Sequence, residues 1–361
     1  MVARGGRALT TVVAPIPPVH ALIDSRVLHG PISGSHPRIG PTVSPSTRIA
    51  FVDGRLVPES EAAVPLWRIG GGIGGSTHVR TRTFRGRPFR IEAHVDALFA
   101  ALDRQGVDPR LAPHEVLAAC GDVLAHNADA LARHGDLWIT IRVLRSTEPV
   151  PGEPPPPPVT IVDCAPLPLG YWSDLHRAGA RLVVPAARRP SLASGTAAAS
   201  LAADTALALA DAEVRASDPG AWSVLLDEAG HLCEGLGAHV FVVRAGEIMT
   251  PRLAPGRSAI WRDAAIGIAR ADQYPILETD IRLSQMLSAD EVFLAVAGAC
   301  IVRCVDVNDR PVGRGAGPVT RRLVDAYRLA VDCDFVAQAT GAADRAGEPQ
   351  PAAPSRVRSG R

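Results

Sequence analysis

Short β-branched and apolar runs closed by turn dipeptides are interleaved irregularly with long alanine- and leucine-rich helical patterns. Ile49-Ala50-Phe51-Val52 reads as a strand, Asp53-Gly54 as a hairpin turn and Arg55-Leu56-Val57 as the return. A second pair is expected around HVRTRTF and PFRI, with Gly86 in the turn. Ile91, Val95, Leu98, Phe99 and Leu102 follow at helical spacing, with Gly106 as the stop, and HEVLAACGDVLAHNADALARHG continues as helix. LWITIRVLRS and VTIVDCAPL read as strands. ARLVVPAARR opens a second segment, with a helix over AAASLAADTALALADAEVRAS, strand pairs over WSVLLDEAGHLCEG and AHVFVVRAGEIMTP, and an amphipathic helix over VTRRLVDAYRLAVD. Strands and helices mixed without regular β-α alternation imply an α+β fold rather than a doubly wound sheet.

Length points to two domains, at about 150 residues each. The expected organisation is a disordered Pro/Gly/Ser/Arg-rich extension over 1–47, a small α/β domain over 48–166 and a connection over 167–180. A large α/β domain over 181–337 and a disordered tail over 338–361 complete it. GGGIGG at 70–75 satisfies a dinucleotide-type glycine pattern. The following STHVRTRTF reads as strand rather than helix, so nucleotide binding is not implied. PGEPPPPP reads as an exposed hairpin excursion.

Composition sets the chemistry. The chain has 38 basic residues and every one is arginine; it contains no lysine. A chain this long ordinarily carries on the order of 20 lysines. No side chain can therefore act as a primary amine. The net charge of +1 argues against a nucleic-acid partner, and no apolar run is long enough to span a membrane. Cys120, Cys164, Cys233, Cys300, Cys304 and Cys333 form no C-x-x-C pair, so no metal site is signalled. Free buried thiols and a cytoplasmic location are expected.

Six blocks occur in one order: FVDGRLVP, GRPFRIEAHVDALFAAL, ITIRVLR, LLDEAGHLCEGLGAHVFVVRAGEIMTP, ADEVFLAVAGA and VNDRPVGRGAGPVTRRL. Together they resemble the class IV aminotransferases, the pyridoxal-phosphate fold type IV proteins, over about residues 48–333. That family includes branched-chain and D-amino acid aminotransferases and aminodeoxychorismate lyases. The resemblance implies that Arg90 grips a cofactor phosphate, that Glu234 holds a protonated pyridine nitrogen, and that Gly235, Leu236 and Gly237 form a turn near the phosphate. It also implies that Arg142 faces a substrate carboxylate, and a two-domain architecture with the site in the interdomain cleft. A homodimer, or a heterodimer with an active homologue, is the implied assembly, and a small anionic molecule the implied ligand.

The departures from the family pattern are chemical. The Schiff-base lysine position falls at or near Ala199, within SGTAAASLA. The phosphate-binding threonine of the family's G-T-A corresponds to Ala297 in Val296-Ala297-Gly298. The G-I-T-R hydroxyl corresponds to Trp261 in Ala259-Ile260-Trp261-Arg262, and an aromatic-glutamate pair reads His78-Val79. Transamination needs a primary amine both to exchange an imine and to move a proton, and arginine stays protonated and does neither. Three functions stay open: cofactor-independent chemistry on a small anion, a catalytically inactive binding protein, or residual aminotransferase or lyase activity with noncovalent cofactor. His78, Glu234 and His239 are the candidate acid-base groups. No covalently bound cofactor is expected, and noncovalent pyridoxal phosphate is disfavoured.

Overall fold

In the computed structural model of the chain, residues 48–64, 76–145, 156–254, 257–313 and 317–347 are described. The extension over 1–47, GGGIGG and most of the proline-rich excursion lie outside these residues. Strands β1 (Ile49–Val52) and β2 (Arg55–Pro58) pair antiparallel about the Asp53-Gly54 turn. Strands β3 (Ser76–Phe84) and β4 (Arg87–Pro88) form the second hairpin. Helices α1 (Ile91–Arg104), α2 (Pro113–His126) and α3 (Ala128–His134) follow. The long helical pattern is broken at Asn127, whose side chain serves the chain elsewhere. Its amide accepts from the Ile49 N–H at 2.9 Å and donates to the Ile49 carbonyl at 2.8 Å. That exchange pins β1 to the end of α2.

Strands β5 (Leu137–Leu144) and β6 (Val159–Pro166) complete an antiparallel sheet of order β2-β1-β6-β5-β3-β4. One face is closed by α1 and α2 through Val95, Leu98, Val116, Val123, Ile139 and Ile141. The other face carries His78, Arg80, Arg82 and, on β5, Arg142 and Thr140, because alternate residues of a strand share one side.

Residues 167–180 are more than a connection. Helix α4 (Leu169–Ala178) occupies most of them and buries Trp172 and Leu175. Leu169, Trp172 and Leu175 recur every third residue, a helical spacing obscured in the sequence by the preceding Pro168 and by Gly170. Strand β7 (Ala180–Val183) and helix α5 (Ala197–Ser217) come next, then β8 (Ala221–Ser223), β9 (Glu234–Gly235), β10 (Ala238–Arg244) and β11 (Glu247–Thr250). Helix α6 (Ile260–Ala271), β12 (Ile276–Glu278), α7 (Leu283–Leu287), β13 (Glu291–Val296), β14 (Cys300–Val307) and β15 (Arg310–Pro311) precede α8 (Pro318–Ala330). The second sheet has the order β12-β11-β10-β13-β14-β7-β8, with β9 added on β10 and β15 on β14.

β10 and β13 are buried on both faces, which is why they read as continuous apolar runs. Val240, Val242, Val292 and Leu294 face one cluster. Phe241, Val243, Phe293 and Ala295 face the other, under α6 and α8. Glu291 is buried at the start of β13 and accepts from the Val319 and Thr320 N–H groups at 2.8 Å each, so the ADEVFL carboxylate caps α8.

The folded chain also runs past residue 338, where the sequence suggests a disordered tail. Helix α9 (Phe335–Gly347) packs on α4 and buries Phe335 and Ala339. Its alanine-rich composition hides a helix whose key side chain is polar. Gln338 receives Arg82 at 2.5 Å and donates to Asp136 at 2.8 Å. Arg82 crosses from the first sheet to the Gly298 carbonyl of the second at 2.9 Å. Both sheets belong to one compact unit. Among the described residues no helix is long and apolar enough to cross a membrane, and the six cysteines are free, five of them buried.

Candidate functional site

Two walls carry the polar side chains not used in the cores. The first is the open face of the six-stranded sheet. His78 on β3 stands directly across from Arg142 on β5. Arg80, two residues along, donates to the Thr140 hydroxyl at 3.0 Å and lies 5.6 Å above the Trp138 ring. Arg142 is paired with Asp163 of β6. Burial lowers the His78 pKa, and the Arg142 and Arg80 guanidinium groups lower it further, against an opposing pull from Asp204. His78 is therefore a neutral imidazole near neutral pH. Asp204 lies on α5.

The second wall is built by β9 and its turn. Gly235 is required there, since a Cβ would lie 2.3 Å from the Ser223 carbonyl oxygen. Gly237 has φ +67°, the left-handed region open to glycine. Its carbonyl accepts from the Ala297 N–H at 3.0 Å, so the E-G-L-G turn and the eroded G-T-A segment meet in space. Leu236 is exposed at the tip. Glu234 is 8 % exposed and is the hub of this wall. Its Oε1 accepts from Arg257 at 2.9 Å and lies 4.0 Å from Arg189, while its Oε2 lies 3.7 Å from His239 Nδ1. Arg257 reaches on to Asp204 at 2.5 Å. Beside Glu234, His239, Thr250 and Arg262 is a cavity of about 10 Å³, enough for one water.

Arg90 sits at the N-cap of α1 with φ +47°, its guanidinium 5.5 Å over the Phe89 ring. That guanidinium has no hydrogen-bond or ion-pair partner among the described residues. Phe89 stacks on Trp261 of α6 at 4.7 Å and 28°. The indole of Trp261 therefore fills the start of α6 where the family carries a small hydroxyl, and its N–H is buried without an acceptor. Ala199 lies in the first turn of α5, where its N–H is capped by the Thr196 hydroxyl at 3.2 Å. It is half-buried and carries only a methyl group.

His78 and Arg142 thus belong to the first wall, and Glu234 and His239 to the second. Gly235, Gly237 and Ala297 build the turn behind Glu234. Arg90 belongs to the Phe89–Trp261 stack. Arg80, Arg189, Asp204 and Arg257 escape the sequence reading. The available signal was the loop PGRSAIW, which puts an arginine just ahead of the eroded G-I-T-R. Among the described residues no group of three or more His, Cys, Asp or Glu side chains is placed to hold a metal.

His94, His176 and His239 are each held down to about 4, in every case first by burial. Nearby arginines add to this, Arg90 at His94 and Arg328 at His176. At His239 the Glu234 carboxylate pulls the other way. The unfolded chain titrates these groups near 6.5 and so binds more protons between those values. Stability is expected to be full above about pH 6.5 and to fall as pH drops toward 4. Urea unfolding at pH 7.0, 5.5 and 4.5 checks the sign. Stability that rises on acidification would contradict it.

The family model "Amino-transferase class IV" matches residues 79–307. The chain belongs to the class IV aminotransferases. A putative branched-chain-amino-acid aminotransferase of Methanocaldococcus jannaschii is 24% identical over 282 residues, covering 77% of this chain and 94% of that protein. The branched-chain-amino-acid aminotransferase of Pseudomonas aeruginosa is 30% identical over 106 residues, 29% of this chain and 34% of that protein. Among solved structures, a T.th. branched-chain amino acid aminotransferase with pyridoxamine 5'-phosphate matches with TM-score 0.65 and 25% identity, covering 79% of this chain and 94% of that one. The same protein was also solved with N-(5'-phosphopyridoxyl)-L-glutamate.

These likenesses correct one expectation. Noncovalent cofactor is disfavoured in the sequence because the lysine is gone, yet pyridoxamine phosphate is itself an amine and needs no lysine imine to be held. A protein of this fold was solved with that very form. The chain carries side chains of the chemistry such a group would meet. Arg90 is an unpaired guanidinium, the Trp261 N–H and the Arg189 Nε are buried donors without acceptors, and Glu234 is a buried carboxylate.

Proposed function

We propose that this class IV aminotransferase holds a pyridoxamine- or pyridoxal-phosphate-type ligand noncovalently and does not carry out lysine-dependent transamination. The observation that carries the reading is the absence of any lysine in a chain that keeps Glu234 and Arg90. Such a ligand, when bound, supplies an electron sink. Arg90 and the Trp261 N–H would take its phosphate, and Glu234 its ring nitrogen. Arg80 and Arg142 would orient a substrate carboxylate, with Arg142 already half-committed to Asp163. Ala199 offers neither a nucleophile nor a base. Losing a general base alone costs roughly 10² to 10⁴ in rate. Neutral His78 is the remaining proton carrier on the first wall.

A second reading is favoured by the Phe89–Trp261 stack, which puts an indole where the family carries a small hydroxyl, and by the Arg257–Glu234 pair, which engages the carboxylate. It is a small-anion binder without catalysis, recognised by Arg80, Arg90 and Arg142. Equilibrium dialysis with pyridoxamine 5'-phosphate and with inorganic phosphate separates the two. Saturable retention of pyridoxamine phosphate, fully released on gel filtration, is expected under the first. Retention of phosphate with none of pyridoxamine phosphate would overturn it in favour of the second.

A further inference from the structure

We propose that Arg257 is the specificity-determining residue of this site, an internal cation paired with Glu234 with which a protonated ring nitrogen must compete. The inference rests on the noncovalent reading above and names how the chain controls it. Glu234 is an acceptor only, with two oxygens. One of them is taken by Arg257 at 2.9 Å, with Arg189 4.0 Å away; the other has His239 at 3.7 Å. His239 is held neutral by its enclosure, so Arg257 supplies the direct neutralising contact.

Arg257 is anchored from both ends. Its second terminal nitrogen meets Asp204 on α5 at 2.5 Å, and its side chain is only 19 % exposed. Burial pushes its pKa down, but Glu234 and Asp204 outweigh that and raise it. A guanidinium does not discharge at any working pH, unlike an amine that could deprotonate and step aside. An incoming N–H⁺ aimed at Glu234 therefore meets a fixed like charge beside the carboxylate. The weakness toward pyridinium-bearing ligands accordingly resides in one side chain.

The test is calorimetric titration of the full-length protein with pyridoxamine 5'-phosphate, comparing the natural chain, R257M, E234Q and R257M/E234Q. Removing the competing charge is expected to tighten binding about tenfold or more. E234Q alone is expected to change affinity little, because Arg257 already occupies that carboxylate, and E234Q on top of R257M is expected to cancel the gain. Thermal unfolding establishes that each variant is folded. If R257M is not, R257Q takes its place, keeping a hydrogen-bond donor for Glu234 without the charge, and the same tightening is expected.

Equal affinity for the natural chain and the Arg257 variant, or weaker binding by the variant, overturns the inference while leaving the noncovalent reading intact. Binding by the variant alone supports the inference and removes the noncovalent reading for the natural chain. Binding by neither overturns both.

Discussion

Arg82→Met is expected to lower the unfolding free energy by about 3 to 5 kcal/mol, the usual range for removing one partner of a buried charged network. Arg82 is fully buried in the middle of the molecule. Its Nε donates to the Thr83 carbonyl at 3.0 Å, one terminal nitrogen to the Gly298 carbonyl, and the other to Gln338 with Asp136 3.7 Å away. The guanidinium is also stacked 4.2 Å from the Phe84 centroid. Methionine fills much of the same volume, so the loss comes from polar groups left without a partner rather than from a void. Asp136 would keep Thr83, Gly86 and Gln338 as donors but lose its only nearby positive charge among the described residues. Urea denaturation measures this directly. The neighbouring Arg85–Asp332 pair is the control. Both its side chains are largely exposed, at 68% and 83%, so Arg85→Met is expected to leave stability unchanged within error. Equal effects at the two positions would refute the role assigned to Arg82.

Gly298→Ala is expected to cost about 3 kcal/mol, from overpacking added to an unfavourable backbone conformation. Gly298 has φ +78°, and a Cβ there would stand 2.4 Å from Trp138 and 2.6 Å from Trp172. These indoles meet edge to face at 5.6 Å and cannot separate without moving α4 or β5. Trp138 also supports Arg80, so the damage reaches the first wall of the cleft. Gly237→Ala provides the comparison. Its φ of +67° is similar, but nothing lies within 4 Å of the added carbon. It is expected to cost only the backbone term, about 1 to 2 kcal/mol. Stability curves that place the two variants together would show that contact with the indoles is not what makes Gly298 necessary.

The fold was largely written in local pattern. The Asp53-Gly54 and Ala245-Gly246 turns, the alternation along β3 and the apolar spacing of α1 and α8 each point to the element that forms. What was not legible depends on contacts far apart in sequence. Asn127 interrupts a good helical pattern because its amide is used by β1, 78 residues away. Helix α9 looks like the start of a tail because its value lies in Gln338, which reaches Arg82 at a separation of 256 residues.

The site divides the same way. Glu234 and its glycines stand out because a tight turn needs them in one short block. Arg257 and Asp204 do not, since an arginine in a loop and an aspartate on a helix are commonplace until the fold brings them 2.5 Å apart. The missing lysine is visible at once, but its meaning for the cofactor is not. Loss of the imine disfavours the cofactor on sequence grounds, whereas a phosphate and a ring nitrogen can hold such a molecule without a covalent bond.

Turnover decides the central claim. Full-length protein supplied with saturating pyridoxal 5'-phosphate, a branched-chain amino acid and a keto-acid acceptor is followed by keto-acid formation against a protein-free control. Product at the control rate is the expected result, because a protein with 38 arginines and no lysine has no side-chain amine to exchange or to shuttle the proton. Sustained transamination at the rate of lysine-bearing relatives would contradict it.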